Sequence, residues 1–206
     1  MQAMRTTNLL ATFLCAVGCQ CQVDANGDSR SPQAQSHSTE SLAPIISGQN
    51  AFGSGAQTAG SLRGTVYFIP ADSRKFPDVS QIKPTATLFT EQLNIPPRSF
   101  SDGFPGIDNR FEWFAVRYEG FVEVSRTADY TFRLVSDDGA LLYIDGALVV
   151  DDDGVHAVSS KSGSAKLTSG RHTIRVDYFQ GPRFQIALQL FVNRAGEPEK
   201  PWSSSL

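Results

Sequence analysis

Beyond residue 21 the sequence contains no cysteine. Its 3 cysteines are Cys15, Cys19 and Cys21. The rest of the chain can therefore build neither a disulfide framework nor a thiolate metal site, and packing must hold it together. An excess of positive charge is also missing. Lys and Arg number 18 against 21 Asp and Glu, a formal net charge of -3, which leaves no electrostatic footprint for nucleic acid and no acidic tail. Histidine is scarce. His156 and His172 show no carboxylate–His or Cys–His spacing and read as structural or surface residues, and His37 stands alone in a polar segment. Past the N-terminus no segment sustains a helical hydrophobic period, and no repeat of solenoid length appears. Nucleophile elbows, phosphate-cradling glycine loops and zinc-binding helix motifs are absent. Apolar residues are plentiful at 40%, with Phe used 14 times, enough for a substantial core.

The N-terminus reads as an export signal. Arg5 supplies a positive start, and Leu9 to Val17 forms an apolar run too short to span a bilayer. Ala16-Val-Gly-Cys19 follows and resembles the bacterial lipobox, with Ala16 where Leu is commoner. That resemblance implies cleavage before Cys19, diacylation of Cys19 and attachment to a membrane, each buried CH₂ contributing about 0.8 kcal/mol. Residues 1–18 are thus expected to be a signal peptide. Residues 19–61 are dominated by Gln, Ser, Ala, Gly and Asn and are expected to form a disordered tether, since they cannot bury enough apolar surface to offset ordering. Gln20 is not the Asp that often marks inner-membrane retention, so the outer membrane or cell surface is the expected location.

From Leu62 the character changes to short β-branched and aromatic runs between turn residues. Candidate strands are Gly64 to Ile69, Thr87 to Leu93, Arg110 to Tyr118, Phe121 to Val124, Tyr130 to Val135 and Ala140 to Ile144. Ala147 to Val150, Ser164 to Thr168, Arg171 to Phe179 and Gln185 to Val192 complete the set. Pro96-Pro97 is expected to break the chain, Glu119-Gly120 to bend it, and Asp138-Gly139, Asp145-Gly146 and Ser169-Gly170 to turn hairpins. Trp113 sits inside a strong β run and reads as core, and Arg175 and Asp177 share a strand face and should pair. Ser203 to Leu206 reads as a frayed end. The pattern predicts an all-β, antiparallel sandwich or barrel over residues 62–194 with a tail at 195–206.

One turn carries unusual charge. Asp137 and Asp138 are adjacent carboxylates with no basic neighbour, and their repulsion is most simply relieved by a cation between them. Asp-Asp-Gly is equally an ordinary turn sequence. Asp151-Asp-Asp-Gly154 offers either a further cation site or a solvated loop, and charge runs in loops are usually solvated. Asp108-Asn109 is a weaker candidate for ligand contact.

Residues 62 to about 192 resemble the β-barrel domain first named from anthrax toxin protective antigen and shared by yeast flocculins, epithelial adhesins and many glycosidases. The matching pieces, in order, are Phe114-Ala-Val-Arg-Tyr-Glu-Gly120, Asp129-Tyr-Thr-Phe132, Ser136-Asp-Asp-Gly139, Leu142-Tyr-Ile-Asp-Gly146 and Leu148-Val-Val-Asp151. Leu167-Thr-Ser-Gly170, His172-Thr-Ile-Arg-Val-Asp-Tyr-Phe179 and Leu188-Gln-Leu190 follow. In the sugar-binding members two consecutive aspartates joined by a cis peptide hold Ca²⁺, a second loop adds a side-chain oxygen and carbonyls, and the ion grips sugar hydroxyls. The resemblance places Asp137 and Asp138 in that pair. It makes Gln180-Gly-Pro-Arg183 the second loop, with Gln180 as the side-chain oxygen, Gly181 allowing close backbone approach, and Arg183 either donating to a ligand hydroxyl or pairing with a carboxylate. It implies a non-catalytic, calcium-dependent carbohydrate-binding lipoprotein whose partner is a glycan or cell-surface polysaccharide. The alternative is a metal-free structural or protein-interaction module of the envelope. A glycosidase needs paired carboxylates in the cleft of a catalytic domain, for which a domain of this size leaves no room.

Overall fold

The computed structural model describes residues 57–108 and 110–206. The signal sequence, Cys19, Cys21, His37 and the tether to residue 56 lie outside the described residues, as does Asn109.

The strands are β1 (Leu62–Phe68), β2 (Ala86–Thr90), β3 (Asn94–Ser99), β4 (Phe114–Val124), β5 (Ala128–Asp137) and β6 (Ala140–Ile144). Then come β7 (Ala147–Asp152), β8 (Ser159–Leu167), β9 (Gly170–Gln180), β10 (Gln185–Arg194) and β11 (Lys200–Pro201). They form an antiparallel β-sandwich. One sheet has the order β2-β1-β4-β9-β6-β7. The other has the order β11-β10-β5-β8, with β3 also pairing to β10.

Period-two alternation sets the core. Tyr130, Phe132 and Leu134 of β5 and Ile186, Leu188, Leu190 and Val192 of β10 are all buried, as the sequence pattern requires. They face Val116, Tyr118, Ile174, Val176 and Tyr178 of the opposite sheet in one apolar cluster. A second cluster of Tyr67, Ile69, Val79, Ala115 and Phe179 lies on the other parity of β1, β4 and β9, joined by Phe76, Val155 and the partly buried Trp113. Asp145 (φ 50°) and Gly146 (φ 79°) both turn with positive φ, the type I′ geometry that a two-residue Asp-Gly hairpin selects. Arg175 and Asp177 pair at 3.4 Å as expected, and Arg117 adds a bidentate contact to Asp177 at 2.8 and 3.0 Å.

Several expected turns are something else. Asp137-Asp138-Gly139 is no hairpin. Asp137 ends β5 opposite Ala187 in one sheet, and Ala140 begins β6 opposite Tyr178 in the other, so these residues carry the chain between sheets. Ser169-Gly170 likewise joins β8 to β9 across the sandwich, since β8 pairs only with β5 and β9 with β4 and β6. A local Asp-Gly or Ser-Gly signal reports a reversal and says nothing of which sheet receives the next strand. Pro96-Pro97 does not break the chain but lies within edge strand β3, whose pairing with β10 is irregular between Ile186 and Leu188. An edge tolerates proline because its outward N–H has no ladder partner to lose. Glu119-Gly120 does not interrupt β4, which pairs with β9 without a register shift across it. Gly120 is there because a Cβ would stand 2.7 Å from Leu62 Cδ2. Residues 110–113 are not strand, and Trp113 has φ 59°.

The C-terminal segment is not frayed. Trp202 is fully buried. Glu123 N–H donates to the Ser204 carbonyl at 2.8 Å, Leu206 N–H to the Glu123 carbonyl at 2.8 Å, and Ser125 N–H to the Leu206 carbonyl at 2.7 Å. Polar Ser residues hid a strand-like dock anchored by one indole. Trp202→Ala is accordingly expected to lower the unfolding free energy by about 3–5 kcal/mol in denaturant titration. A loss below about 1 kcal/mol would mean that the tail rests on the sandwich without supporting it.

Candidate functional site

The site forms where the chain crosses between sheets. β5 delivers Ser136 and Asp137, and β9 delivers Tyr178 and Gln180 at its C-terminal end. Gly139 lets the corner close: a Cβ there would meet Phe179 Cε1 at 2.4 Å and the Gly154 nitrogen at 2.6 Å. The peptide bond between Asp137 and Asp138 is cis. Both side chains are 1% exposed.

The two carboxylates are treated differently. Asp138 is well held. Gly181 N–H donates to its Oδ2 at 2.7 Å, His156 N–H donates to its Oδ1 at 3.2 Å, and Gln180 Nε2 lies 3.3 Å from Oδ2. Gly181 earns its place here, because a Cβ would sit 3.1 Å from that same Oδ2. Burial raises the Asp138 pKa, and the two backbone amides and His156 oppose it. Asp137 has weaker support, limited to the pull of the His156 charge and the Val158 amide. Neither of its buried oxygens closes a hydrogen bond. Burial first, and the Asp138 charge second, push its carboxyl up to about 6, while His156 and the Val158 amide exert a lesser downward pull.

Tyr178 and Gln180 stand beneath the pair, both fully buried. The Tyr178 hydroxyl lies 2.8 Å from the Asp137 carbonyl and 2.5 Å from Gln180 Oε1. Burial, then the Asp138 and Asp137 charges, hold its proton on. Gln180 Nε2 also reaches the Gln185 carbonyl at 3.2 Å. Asp137, Asp138, Gln180 and Gly181 are thus brought together. Arg183 is not turned into this cluster. It stands 71% exposed at the rim, paired with Glu112 at 3.3 Å and stacked over Phe100. A cavity of about 490 Å³ lies at the same end, lined by Arg98, Asp102, Phe104, Asp108 and Phe111 among others. Phe104 joins the two, its ring stacked on Tyr178 at 5.1 Å.

In the second acidic run, Asp151 and Asp152 belong to the end of β7 rather than to a loop. Asp152 ends β7 and is 1% exposed. Its Oδ2 accepts from Ser136 Oγ at 3.1 Å and Ser159 Oγ at 2.5 Å, and its Oδ1 lies 3.3 Å from Lys161 Nζ. Asp153 accepts from the Phe76 amide. These partners spend the negative charge on structure. His156 is more than a surface residue. Its ring nitrogens face the Ala157 and Asp152 carbonyls at 2.8 and 2.9 Å. Burial opposes its charged form, but those carbonyls and the charges of Asp152 and Asp138 more than offset this and raise its pKa.

Sequence reasoning missed Tyr178, His156 and Phe184. Phe184 is 73% exposed beside Arg183. A large aromatic following Gly-Pro-Arg in a loop was the available signal. Tyr178 was hidden by its place in an apolar alternation.

Among the described residues no three His, Cys, Asp or Glu side chains gather into a metal-binding group. The two carboxylates offer hard oxygen donors, which suit Ca²⁺ rather than a transition metal, while Gln180 presents its Nε2 to Asp138 and its Oε1 to Tyr178. The unpartnered oxygens of Asp137 fit such an ion.

Comparison with known proteins gives the family. Among curated proteins, the anti-sigma-I factor RsgI3 of Acetivibrio thermocellus is 29% identical over 108 residues, 52% of this chain and 17% of that protein. Among solved structures, the PA14 sugar-binding domain from an RTX adhesin aligns with a TM-score of 0.57 at 19% identity, covering 70% of this chain and 96% of that one. The A domain of epithelial adhesin 9 from Candida glabrata, solved in complex with Galβ1-3GlcNAc, aligns with a TM-score of 0.51 at 12% identity, covering 76% and 89%. The last two likenesses concern the fold. The PA14 domain model matches residues 81–203, more than half of the sequence, and on that match the chain belongs to the PA14 domain family.

Proposed function

We propose that this domain is a non-catalytic glycan-binding module whose binding depends on Ca²⁺, carried on an envelope lipoprotein anchored through Cys19. One observation carries the reading: Asp137 is buried against Asp138 with both carboxylate oxygens unpartnered. Withdrawing a carboxylate from water costs several kcal/mol, so an unpaired one calls for a positive partner. Asp137, Asp138 and Gln180 would hold the ion, with carbonyls of the Gln180–Arg183 loop. When bound, it would supply a hard Lewis-acidic centre able to polarise vicinal hydroxyls.

Gln180 supports this. A phenol has one proton, so the Tyr178 hydroxyl cannot donate to both the Asp137 carbonyl and Gln180 Oε1. With the amide turned over, Gln180 donates to Tyr178, which donates to Asp137. Its Oε1 then joins Asp138 Oδ2 and the Gln185 carbonyl, an all-oxygen cluster that a cation stabilises. At the rim, Phe184 offers an apolar face and Arg183 donors for a sugar. The sugar-binding and adhesin relatives lend fold-level support.

A second reading, a metal-free interaction module, is favoured by Asp138 alone, whose oxygens already accept N–H bonds from Gly181 and His156.

Ca²⁺ at a hundredfold excess over its Kd is expected to raise stability by about 2.7 kcal/mol, or Tm by about 5–10 °C for a domain of this size. EDTA should reverse the shift and abolish glycan-array binding, and Asp137→Asn should remove both responses. A flat Ca²⁺ titration of the wild type selects the metal-free module.

The ion-free protein should show a pH signature. Because the folded Asp137 pKa lies above its unfolded value, its contribution is fully present below the unfolded pKa and is lost as pH rises through about 6. His156 adds loss of the same sign as pH rises through its raised pKa. In EDTA, Tm should therefore fall from about pH 5 to about pH 7.5. Asp137→Asn should fall less and be the more stable protein at the upper end. Equal slopes would show that the carboxylate is not charged against its surroundings.

For the anchor, Cys19→Ser is expected to move the protein from the membrane fraction to the soluble one. Unchanged fractionation would exclude lipid attachment at that residue.

A further inference from the structure

A second groove lies on the outward face of the larger sheet, about 380 Å³ in volume, lined by side chains of β1, β4, β9 and β6. It is remote from the aspartate corner. Arg175 precedes Gln180 by five positions on β9, about 16 Å of extended strand. Register lines up its floor: Arg63 opposes Glu119, Glu119 opposes Arg175, and Arg175 opposes Tyr143. Two residues further along the same β4–β9 pair, Phe121 opposes Thr173 and forms a wall.

Three features make this more than a sheet surface. First, Arg63 and Glu119 stand directly opposite with complementary charge, yet among the described residues neither side chain closes an ion pair or hydrogen bond, although the Glu119 charge also acts on Arg117. Cross-strand neighbours of opposite sign ordinarily meet. Held apart, they leave guanidinium donors and carboxylate acceptors open toward the groove. Second, Arg175 is fixed. Its guanidinium lies 3.8 Å above the Tyr143 ring and 3.4 Å from Asp177, so its position is set before any ligand arrives. Third, Phe121 is 53% exposed, its ring approached by the Arg171 guanidinium at 5.2 Å and otherwise open to water beside these polar heads.

The chemistry selects the ligand. A polyanion would meet the Glu119 carboxylate in the middle of the floor, between Arg63 and Arg175, and Arg175 shares Asp177 with Arg117. An apolar ligand would strand Arg63 and Glu119. A neutral pyranose has an apolar C–H face for Phe121 and hydroxyls that both donate to Glu119 and accept from Arg63. The volume falls within the roughly 300–1,000 Å³ usual for small-molecule sites. We propose that this groove is a metal-independent binding site for neutral saccharide units, separate from the aspartate corner.

Amide shifts in ¹H–¹⁵N spectra test this in EDTA, which silences the corner site. The probes are cellotetraose, mannotriose and galactotriose, with trigalacturonate as the acidic control. At least one neutral oligosaccharide is expected to shift the amides of Glu119, Phe121, Tyr143 and Thr173. Phe121→Ala should weaken that binding at least tenfold and Arg63→Gln several-fold. Both positions are solvent-facing, and melting curves confirm that the variants fold. Four results would overturn the proposal: no shifts with any neutral probe, shifts with trigalacturonate alone, binding unchanged in Phe121→Ala, or shifts that appear only when Ca²⁺ is restored. The last assigns the sugar to the corner site, whereas failure of that site leaves the EDTA result untouched.

Discussion

Withdrawal of two neighbouring carboxylates from water, at the point where the chain passes from one sheet to the other, governs this end of the sandwich. Each group brings a desolvation cost that the surroundings must offset. The offsets explain otherwise unrelated residues. Gly139 and Gly181 are glycines because backbone or carboxylate oxygen occupies the space of a Cβ. The loop around His156 is drawn in by a hydrogen bond that its backbone N–H donates to Asp138. Tyr178 keeps its proton and braces the Asp137 carbonyl from below. Asp152 belongs to the same frame, with its negative charge spent on Ser136, Ser159 and Lys161. The sandwich core builds the walls, and this polar network decides what its rim can hold.

Much of the fold could be read in the chain, because alternation at period two is a local property. Tyr130-Thr-Phe-Arg-Leu announces its buried face, and Asp145-Gly146 announces its turn. The partner of each strand is not local. Asp138-Gly139 and Ser169-Gly170 look like hairpins, yet both connect opposite sheets, and β9 pairs with β4 and β6 rather than with β8. Asp137 and Asp138 stood out through charge repulsion alone. Gln180, Gly181 and Arg183 came through family resemblance, and of these Arg183 turned out to face Glu112. Tyr178 was invisible, because a tyrosine in an apolar alternation signals core, and only the three-dimensional frame reveals where its hydroxyl points. The C-terminal dock was misread for a related reason: a run of serines carries no pattern, and a single Trp anchors it.

Strand β9 shows how one short sequence serves two ends of the molecule. Its even positions, Ile174, Val176, Tyr178 and Gln180, run through the core and emerge at the corner. Its odd positions, Thr173, Arg175 and Asp177, face outward and line or brace the groove. Alternation thus separates the two chemistries by face and rise along the strand separates them in distance. A substitution on one parity has no direct route to the other site except through the strand's own register.

The two aspartates are neighbours in sequence, but the geometry makes them unequal. Asp138 has its oxygens engaged by amides from two loops, which oppose the burial that raises its pKa, and it serves as the fastener that holds the second loop and the His156 segment together. Asp137 has no such engagement and, ionised, imposes a cost on the fold. A group that is costly alone and adjacent to a satisfied anion is stabilised only by something arriving from outside. A bound cation would therefore draw most of its stabilising effect from Asp137, while its position would be set by Asp138. Removing Asp138 should loosen the loops whether or not an ion is bound. Removing the charge of Asp137 should relieve the ion-free fold and abolish the response to the ion. That opposition in sign separates a binding site from a merely structural turn more sharply than any double substitution of the pair.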